Sequence, residues 1–253
     1  MRRTLPILAA VLALGSLAAC EKSASQHAQD SLDKAQTAKV DPAFGEQVRA
    51  YLIQNPEVLI EASMALEQKQ AAESAAKRSN VGKMRRELER DNRDFVINPK
   101  GRVTMVVFYD YNCGFCKKIA PDVVRIAREN PEVRVVFKDF TLGMFGPTSE
   151  YAAAAARLLN QKGVFLEAHA EMMDRRPLTD AMVDDLLRRN GIDPADARKL
   201  EQSESQKRYL ADQRTLAGAI GLEGTPAFVI GDVVIPGADP DALQGAINAA
   251  LRK

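Results

Sequence analysis

The octapeptide YNCGFCKK, Tyr111 to Lys118, constrains this chain more than any other stretch. Before it runs an apolar segment, Val103 to Tyr109 (VTMVVFY). After it, Ile119, Val123, Val124, Ile126 and Ala127 recur at helical spacing until Asn130-Pro131 ends the pattern. Val133 to Phe137 (VRVVF) is a second apolar run. Buried strand, helix and buried strand in about 35 residues predict a βαβ unit with parallel strands. Cys113 then lies where a strand ends and a helix begins. Orphan N–H groups and the positive end of the helix dipole gather there. Both favour thiolate over thiol, and the thiolate is the form that attacks disulfides. Cys116, one turn further, is expected to be more buried and placed to attack a mixed disulfide on Cys113 from within. Lys117 and Lys118 add positive charge nearby but read first as solvated helix residues. Pro121 removes a hydrogen bond inside the helix and should kink it.

Other uses of a CxxC pair find little support in the rest of the chain. A structural zinc needs four ligands, and no second cysteine pair exists; His27 and His169 stand far apart in the sequence. No metal and no cofactor are expected. A structural disulfide across two residues, Gly114 and Phe115, would constrain little chain. His169 reads as a half-buried helix residue rather than a catalyst. Met144, Met172, Met173 and Met182 read mainly as core, with Met144-Phe145 expected to border a groove beside the cysteines. Asp110 reads either as a turn residue or as an influence on the pair's titration.

The first twenty residues, MRRTLPILAAVLALGSLAAC, have the basic start and short apolar core of an export signal. Leu17-Ala18-Ala19-Cys20 resembles the lipobox of bacterial lipoproteins, which implies a signal peptide over 1–19 and lipidation of Cys20. Glu21 beside it points to the outer membrane. With Cys20 lipidated, Cys113 and Cys116 are the cysteines left, in a compartment where disulfides persist. Residues 20–40 are polar and read as a lipid-anchored linker. The formal net charge of +1, from 35 basic and 34 acidic residues, argues against nucleic-acid binding.

Residues 41–92 are expected to form a helical stalk. Phe44, Val48, Tyr51 and Leu52 recur at helical spacing, Asn55-Pro56 interrupts, and Val58, Leu59, Ala62 and Leu66 resume the stripe. A break is expected near Gly82. So thin a stripe needs a partner surface, either its own domain or a second copy of the chain. Residues 93–253 read as an α/β domain. Phe95 to Ile97 is a short strand, and Asn98 to Gly101 a turn. Helices are expected over 151–160, 164–174, 179–190 and 209–220. A hairpin over 227–235 turning at Gly231-Asp232 and a final helix from about Asp239 complete it.

The order strand, CGFC, helix with Pro121, strand, helical stretch, Gly224-Thr225-Pro226, hairpin and helix resembles the thioredoxin superfamily. The helical insert, about 143–221, narrows this to DsbA-like thiol:disulfide interchange proteins. FGEQVRAYLIQNPEVLIEASMALEQKQ and FYDYNCGFCKK are similar to the suppressor-of-copper-sensitivity C branch. The resemblance implies a thioredoxin fold with a helical insertion and an N-terminal helical extension. It makes Cys113 the nucleophile and Cys116 the resolving thiol. Pro226 would be cis and facing them, with Thr225 pairing its backbone with an extended client strand. The implied partners are unfolded or misoxidised exported proteins, a membrane redox protein that recycles the pair, the lipid membrane and further copies of the chain. The implied site is the periplasmic side of a bacterial envelope. The strongest oxidases of this family carry a histidine between the cysteines, a valine before the proline and an acid in the strand beneath. Here stand Gly114-Phe115, Thr225 and TMVVFY, so a milder thiolate is expected, with oxidase and isomerase both open. A lipid-tethered binding protein with a structural disulfide is the competing class.

Overall fold

The computed structural model describes residues 31, 33–39 and 41–252. The signal segment 1–19, Cys20, His27 and the start of the linker lie outside the described residues. Residues up to Ser63 and from Met64 onward form two compact units. In the first, helix α1 (Pro42–Gln54) opens on Asp41, whose carboxylate accepts a hydrogen bond from Ala43 N at 2.9 Å, with proline at the first helical position. Asn55-Pro56 ends it as expected, and α2 (Glu57–Arg78) follows. The periodic residues are there, but Phe44, Val48, Tyr51 and Leu59 are exposed.

In the second unit α2 ends at Arg78, ahead of the expected break at Gly82, and α3 (Arg85–Glu89) precedes the sheet. Five strands, β1 (Phe95–Ile97), β2 (Val103–Tyr109), β3 (Val133–Asp139), β4 (Ala227–Ile230) and β5 (Val233–Pro236), lie in the order β1-β3-β2-β4-β5. β2 and β3 are parallel, in register from Val103 opposite Val133 to Tyr109 opposite Asp139. β4 runs antiparallel to β2, with Phe108 opposite Ala227. Gly231, at φ +59°, makes the β4–β5 turn. Alternation sorts the sheet onto two cores. Met105, Val107, Tyr109, Val135, Phe137 and Phe228 face one way, against helix α4 (Gly114–Glu129) and the insert. Val106, Phe108, Val136 and Val229 face the other, against Val81, Leu88, Leu216 and Ile220. Each such fully buried side chain stabilises the fold by about 1.5–3 kcal/mol.

The insert between β3 and β4 consists of α5 (Thr148–Gln161), α6 (Phe165–Asp174), α7 (Asp180–Arg189), α8 (Pro194–Gln202) and α9 (Glu204–Ala219); α10 (Pro240–Leu251) closes the chain. The alanines of α5, Ala152 to Ala156, are wholly buried and let neighbouring helices approach closely. Helix α8 was not expected, and α9 starts earlier than Tyr209. Asp193 caps α8 with Pro194 behind it, and Ser203 caps α9.

Candidate active site

The turn between β2 and α4 is built from its own polar residues. Asp110 Oδ1 accepts hydrogen bonds from Asn112 N at 2.8 Å and from Ser149 Oγ at 2.6 Å. Its carbonyl accepts from Cys113 N at 3.3 Å. Asn112 makes a reciprocal pair with Leu178, donating Nδ2 to its carbonyl and accepting from its N–H at 3.0 Å. Lys117 corrects an expectation: it is buried, 5% exposed, and donates Nζ to the carbonyls of Met172 and Arg175, the latter at 2.5 Å. Burial lowers its pKa to about 8. A charged tip in the sequence therefore hides a tether. Asp110, Asn112 and Lys117 fasten the cysteine-bearing turn to α5, α6 and the strand-free stretch before α7.

Cys113 is the N-cap residue of α4, and both cysteines are free thiols. Each is 2% exposed, but Cys113 lines an open groove whereas Cys116 lies deeper, as expected. Cys113 Sγ donates to the carbonyl oxygen of Thr225 at 3.2 Å. The Thr225–Pro226 bond is cis, as the resemblance implied, and so is Arg176–Pro177, which no sequence feature announced. The Pro226 carbonyl is fixed by Gly237 N at 2.8 Å. Thr225 Oγ1 is buried without a partner. The Cys113 thiol is lowered to about 6. The hydrogen bond from Cys116 does most, burial opposes it, and the N–H groups of Cys116 and Phe115 assist. Cys116 moves the other way, well above the ordinary thiol range, through burial first and then the neighbouring Cys113. The two thiols thus differ in readiness to ionise, the deeper Cys116 holding its proton and Cys113 at the groove giving its own up.

Cys113 opens into a groove of about 520 Å³ lined by Phe115, Lys118, Met144, Phe145, Arg176 and Thr225. Its lining is mainly apolar, and Phe115 and Met144 stand 66% and 73% exposed. Met144-Phe145 border it as expected, whereas Met172 and Met173 are core. On the other flank of the proline loop a second cavity of about 420 Å³ is walled by α2, through Gln70, Ser74 and Arg78. Glu223, Gly224 and Thr225 line both. His169 is 2% exposed rather than half-buried. Among the described residues no cluster of three His, Cys, Asp or Glu side chains is placed to hold a metal. Sequence reasoning missed Asn112, Ser149 and Glu223, whose partners lie on distant elements.

A dithiol at a strand-to-helix junction, aimed at a cis-proline on this sheet, defines the thiol:disulfide oxidoreductases of thioredoxin-like fold. The chain belongs to the thioredoxin family, in its DsbA-like branch that includes ScsC. The family model described as Thioredoxin matches residues 92–249, and that of the copper resistance protein ScsC N-terminal domain matches 42–73. A thioredoxin-like oxidoreductase from Silicibacter pomeroyi is 30% identical, over 67% of this chain and 98% of that one, with a TM-score of 0.60. Proteus mirabilis ScsC in a transitional conformation is 28% identical over 92% and 98%, with a TM-score of 0.61. A periplasmic thioredoxin-like protein from Salmonella enterica serovar Typhimurium is 29% identical over 67% and 97%, with a TM-score of 0.59. The Na(+)/H(+) antiporter NhaA 3 of Salinispora tropica is 27% identical over 147 residues. The chain spans 22% of that curated relative's length, and none of its described helices is long and apolar enough to cross a membrane.

Proposed function

We propose that this chain is an envelope thiol:disulfide oxidoreductase that forms or rearranges disulfides in exported proteins through Cys113 and Cys116. The observation that carries the reading is Cys113 Sγ, held 3.2 Å from the Thr225 carbonyl at the mouth of an apolar groove, with its thiol lowered to about 6. Cys113 attacks a client disulfide or is attacked by a client thiolate, and a mixed disulfide forms. Cys116 then attacks Cys113 and the client leaves as a thiolate, or the client's next thiol attacks the client sulfur of the mixed disulfide, Cys113 leaves as a thiolate and the dithiol is regenerated. Phe115 and Met144 offer apolar contact to an unfolded segment, and the Thr225 backbone pairs with it as a strand beside Pro226. Lipidation of Cys20 would hold the domain at the periplasmic side of the outer membrane, and a membrane redox protein would recycle the pair.

Within this reading the exposed residues Phe44, Val48, Tyr51, Leu59, Ile60 and Met64 favour the isomerase form. A second copy of the chain covering them would bring several dithiols to one client. The test is insulin reduction and refolding of scrambled ribonuclease by the chain and by Cys113→Ser, with solution mass measured with and without residues 41–92. Loss of both activities in Cys113→Ser is expected, and full activity in that variant defeats the assignment. Refolding lost on removal of 41–92, with insulin reduction kept, is the isomerase result.

A further inference from the structure

The groove beside Cys113 carries charge as well as apolar surface. Lys118 and Arg176 line it, both exposed, and they come from different elements, α4 and the stretch between α6 and α7. Lys118 stands three residues after Phe115 and four after Gly114, so the three share a face of α4, with Lys118 one turn, about 5.4 Å, further from the helix start. Arg176 is held in place by its neighbours. The Arg175 carbonyl accepts Lys117 Nζ at 2.5 Å, and both backbone groups of Leu178 are bound by the Asn112 side chain. That stitching fixes Arg176 against the turn that carries Cys113. Among the described residues neither Lys118 nor Arg176 is joined to a carboxylate, whereas Arg175 beside them pairs with Glu171 at 3.0 Å.

One acid lines the groove, Glu223, and its Oε1 already accepts from Ser74 Oγ, on the flank that α2 walls. The Asp110 carboxyl lies buried behind the turn, with Asn112 and Ser149 as its partners. Arg176 also acts through space on Lys117, whose pKa it helps to lower after burial. Like charges gathered in one place oppose folding, so their joint presence is not a packing device. Their combined field falls on the mouth through which a client sulfur approaches Cys113.

We propose that this groove selects client segments with an acidic side chain two residues from the reactive cysteine, held by Lys118 and Arg176, beside apolar residues held by Phe115 and Met144. The inference rests on the reading above, in which Cys113 reacts with the client, and adds the kind of segment it takes. A client strand paired with the Thr225 backbone advances about 3.3 Å per residue and points alternate side chains to one face. A residue two places from the cysteine therefore points the way the cysteine does, about 6.6 Å along, close to the one helical turn that separates Lys118 from the Cys113 end of α4. Residues next to the cysteine point away. Lys118 and Arg176 are thus specificity-determining residues: they hold the client and leave the sulfur chemistry to the cysteines. Both cations are exposed, so their effect is a few-fold one, screened by salt.

The test uses the reduced full chain and short peptides, each with a phenylalanine and a cysteine whose sulfur is joined to a pyridylthio group. The Cys113 thiolate attacks the peptide sulfur and the Cys113–peptide disulfide forms. The bond to the pyridylthio group breaks, and the pyridinethiolate leaves, takes a proton from water and is read by its absorbance. The leaving group is common to the series, so rate ratios between peptides cancel any change in Cys113 itself. Dividing by the ratios for mercaptoethanol, a neutral thiol, removes each peptide's own reactivity. At low salt, Asp two residues from the cysteine, on one of its two sides, should react about threefold or more faster than Asn there, and Lys slower than Asn. The Asp advantage should fall toward one at high salt and in the double variant Lys118→Gln with Arg176→Gln, and should be smaller for Asp adjacent to the cysteine. An Asp-to-Asn ratio near one on both sides, an advantage that survives in the double variant, or an equal advantage at the adjacent positions overturns the inference. Release from no peptide, or release as fast in Cys113→Ser, overturns instead the reading on which it rests.

Discussion

The Ser74 hydroxyl donates to Glu223 Oε1 at 2.5 Å, joining residues 149 apart in the chain. Helix α2 is thereby seated on the loop that carries Thr225 and Pro226. Beside it, Gly221 at φ +72° passes so close to α2 that a Cβ there would meet the Ser74 carbonyl oxygen at 2.6 Å.

Gly221→Ala should therefore be harmful for two reasons, a left-handed backbone that alanine resists and a clash with a rigid main chain. A loss of about 1–3 kcal/mol in urea unfolding is expected, together with faster proteolysis within 64–78. Unchanged stability and unchanged protection of α2 would show that the seat is loose in solution.

The Cys113 thiolate should titrate near pH 6, followed by its ultraviolet absorbance. Removing the donor that does most for it, in Cys116→Ala, should move the midpoint upward toward the ordinary thiol value. A midpoint near 3.5 would contradict the mild thiolate expected from the Gly114-Phe115 dipeptide.

Lys138 and Asp94 form an ion pair at 2.6 Å with both side chains wholly buried, and Lys138 also donates to the Glu87 carbonyl. Asp94→Asn leaves the ammonium with weaker partners and should cost about 3–5 kcal/mol in denaturant unfolding. Replacing both, as Asp94→Leu with Lys138→Met, should recover much of the loss. A double variant as damaged as the sum of the singles would mean that the two charges are not coupled.

Asp139 should leave a signature in the pH dependence of stability. Its folded pKa of about 7 lies above the ordinary carboxylate value of 3.8, so between those limits folding takes up a proton. Stability contributed by that uptake is complete below about pH 4 and is lost as pH rises to about 7. His169, lowered to about 3, slopes the opposite way over part of this range, so the comparison must be with a variant. Asp139→Asn should gain on the parent chain as unfolding is measured from pH 4.5 to pH 7.5. A constant difference would mean that Asp139 titrates normally.

Much of this site was legible in the linear text. The run VTMVVFY, the periodic helix and VRVVF announce the βαβ unit because strand and helix bury residues at different periods. CGFC at its junction and Thr225-Pro226 before a hairpin locate the reactive pair and its facing loop. Helix α8 escaped because Ala197 is its only buried residue, leaving almost no apolar stripe. Lys117 misled because a lysine reads as solvated until two carbonyls from another helix turn out to receive it. Asp139 was invisible for a related reason: nothing in DFTLG says that β3 continues until its acid meets Tyr109.

The topology gives the helical insert an unusual freedom. β3 ends and β4 begins at the same end of the sheet as Cys113, two strand spacings apart with β2 between them, roughly 10 Å. A far shorter crossover would span that gap, so lineages can lengthen, shrink or exchange the α5–α9 stretch without reopening the sheet. What such a swap must reproduce is a hydroxyl for Asp110, a peptide group for Asn112, two carbonyls for Lys117, and the apolar walls that Phe165 and Met172 give one face of the sheet and Leu216 and Ile220 the other. Grafting experiments that keep those anchor points and both apolar walls can vary the rest of the surface the client meets.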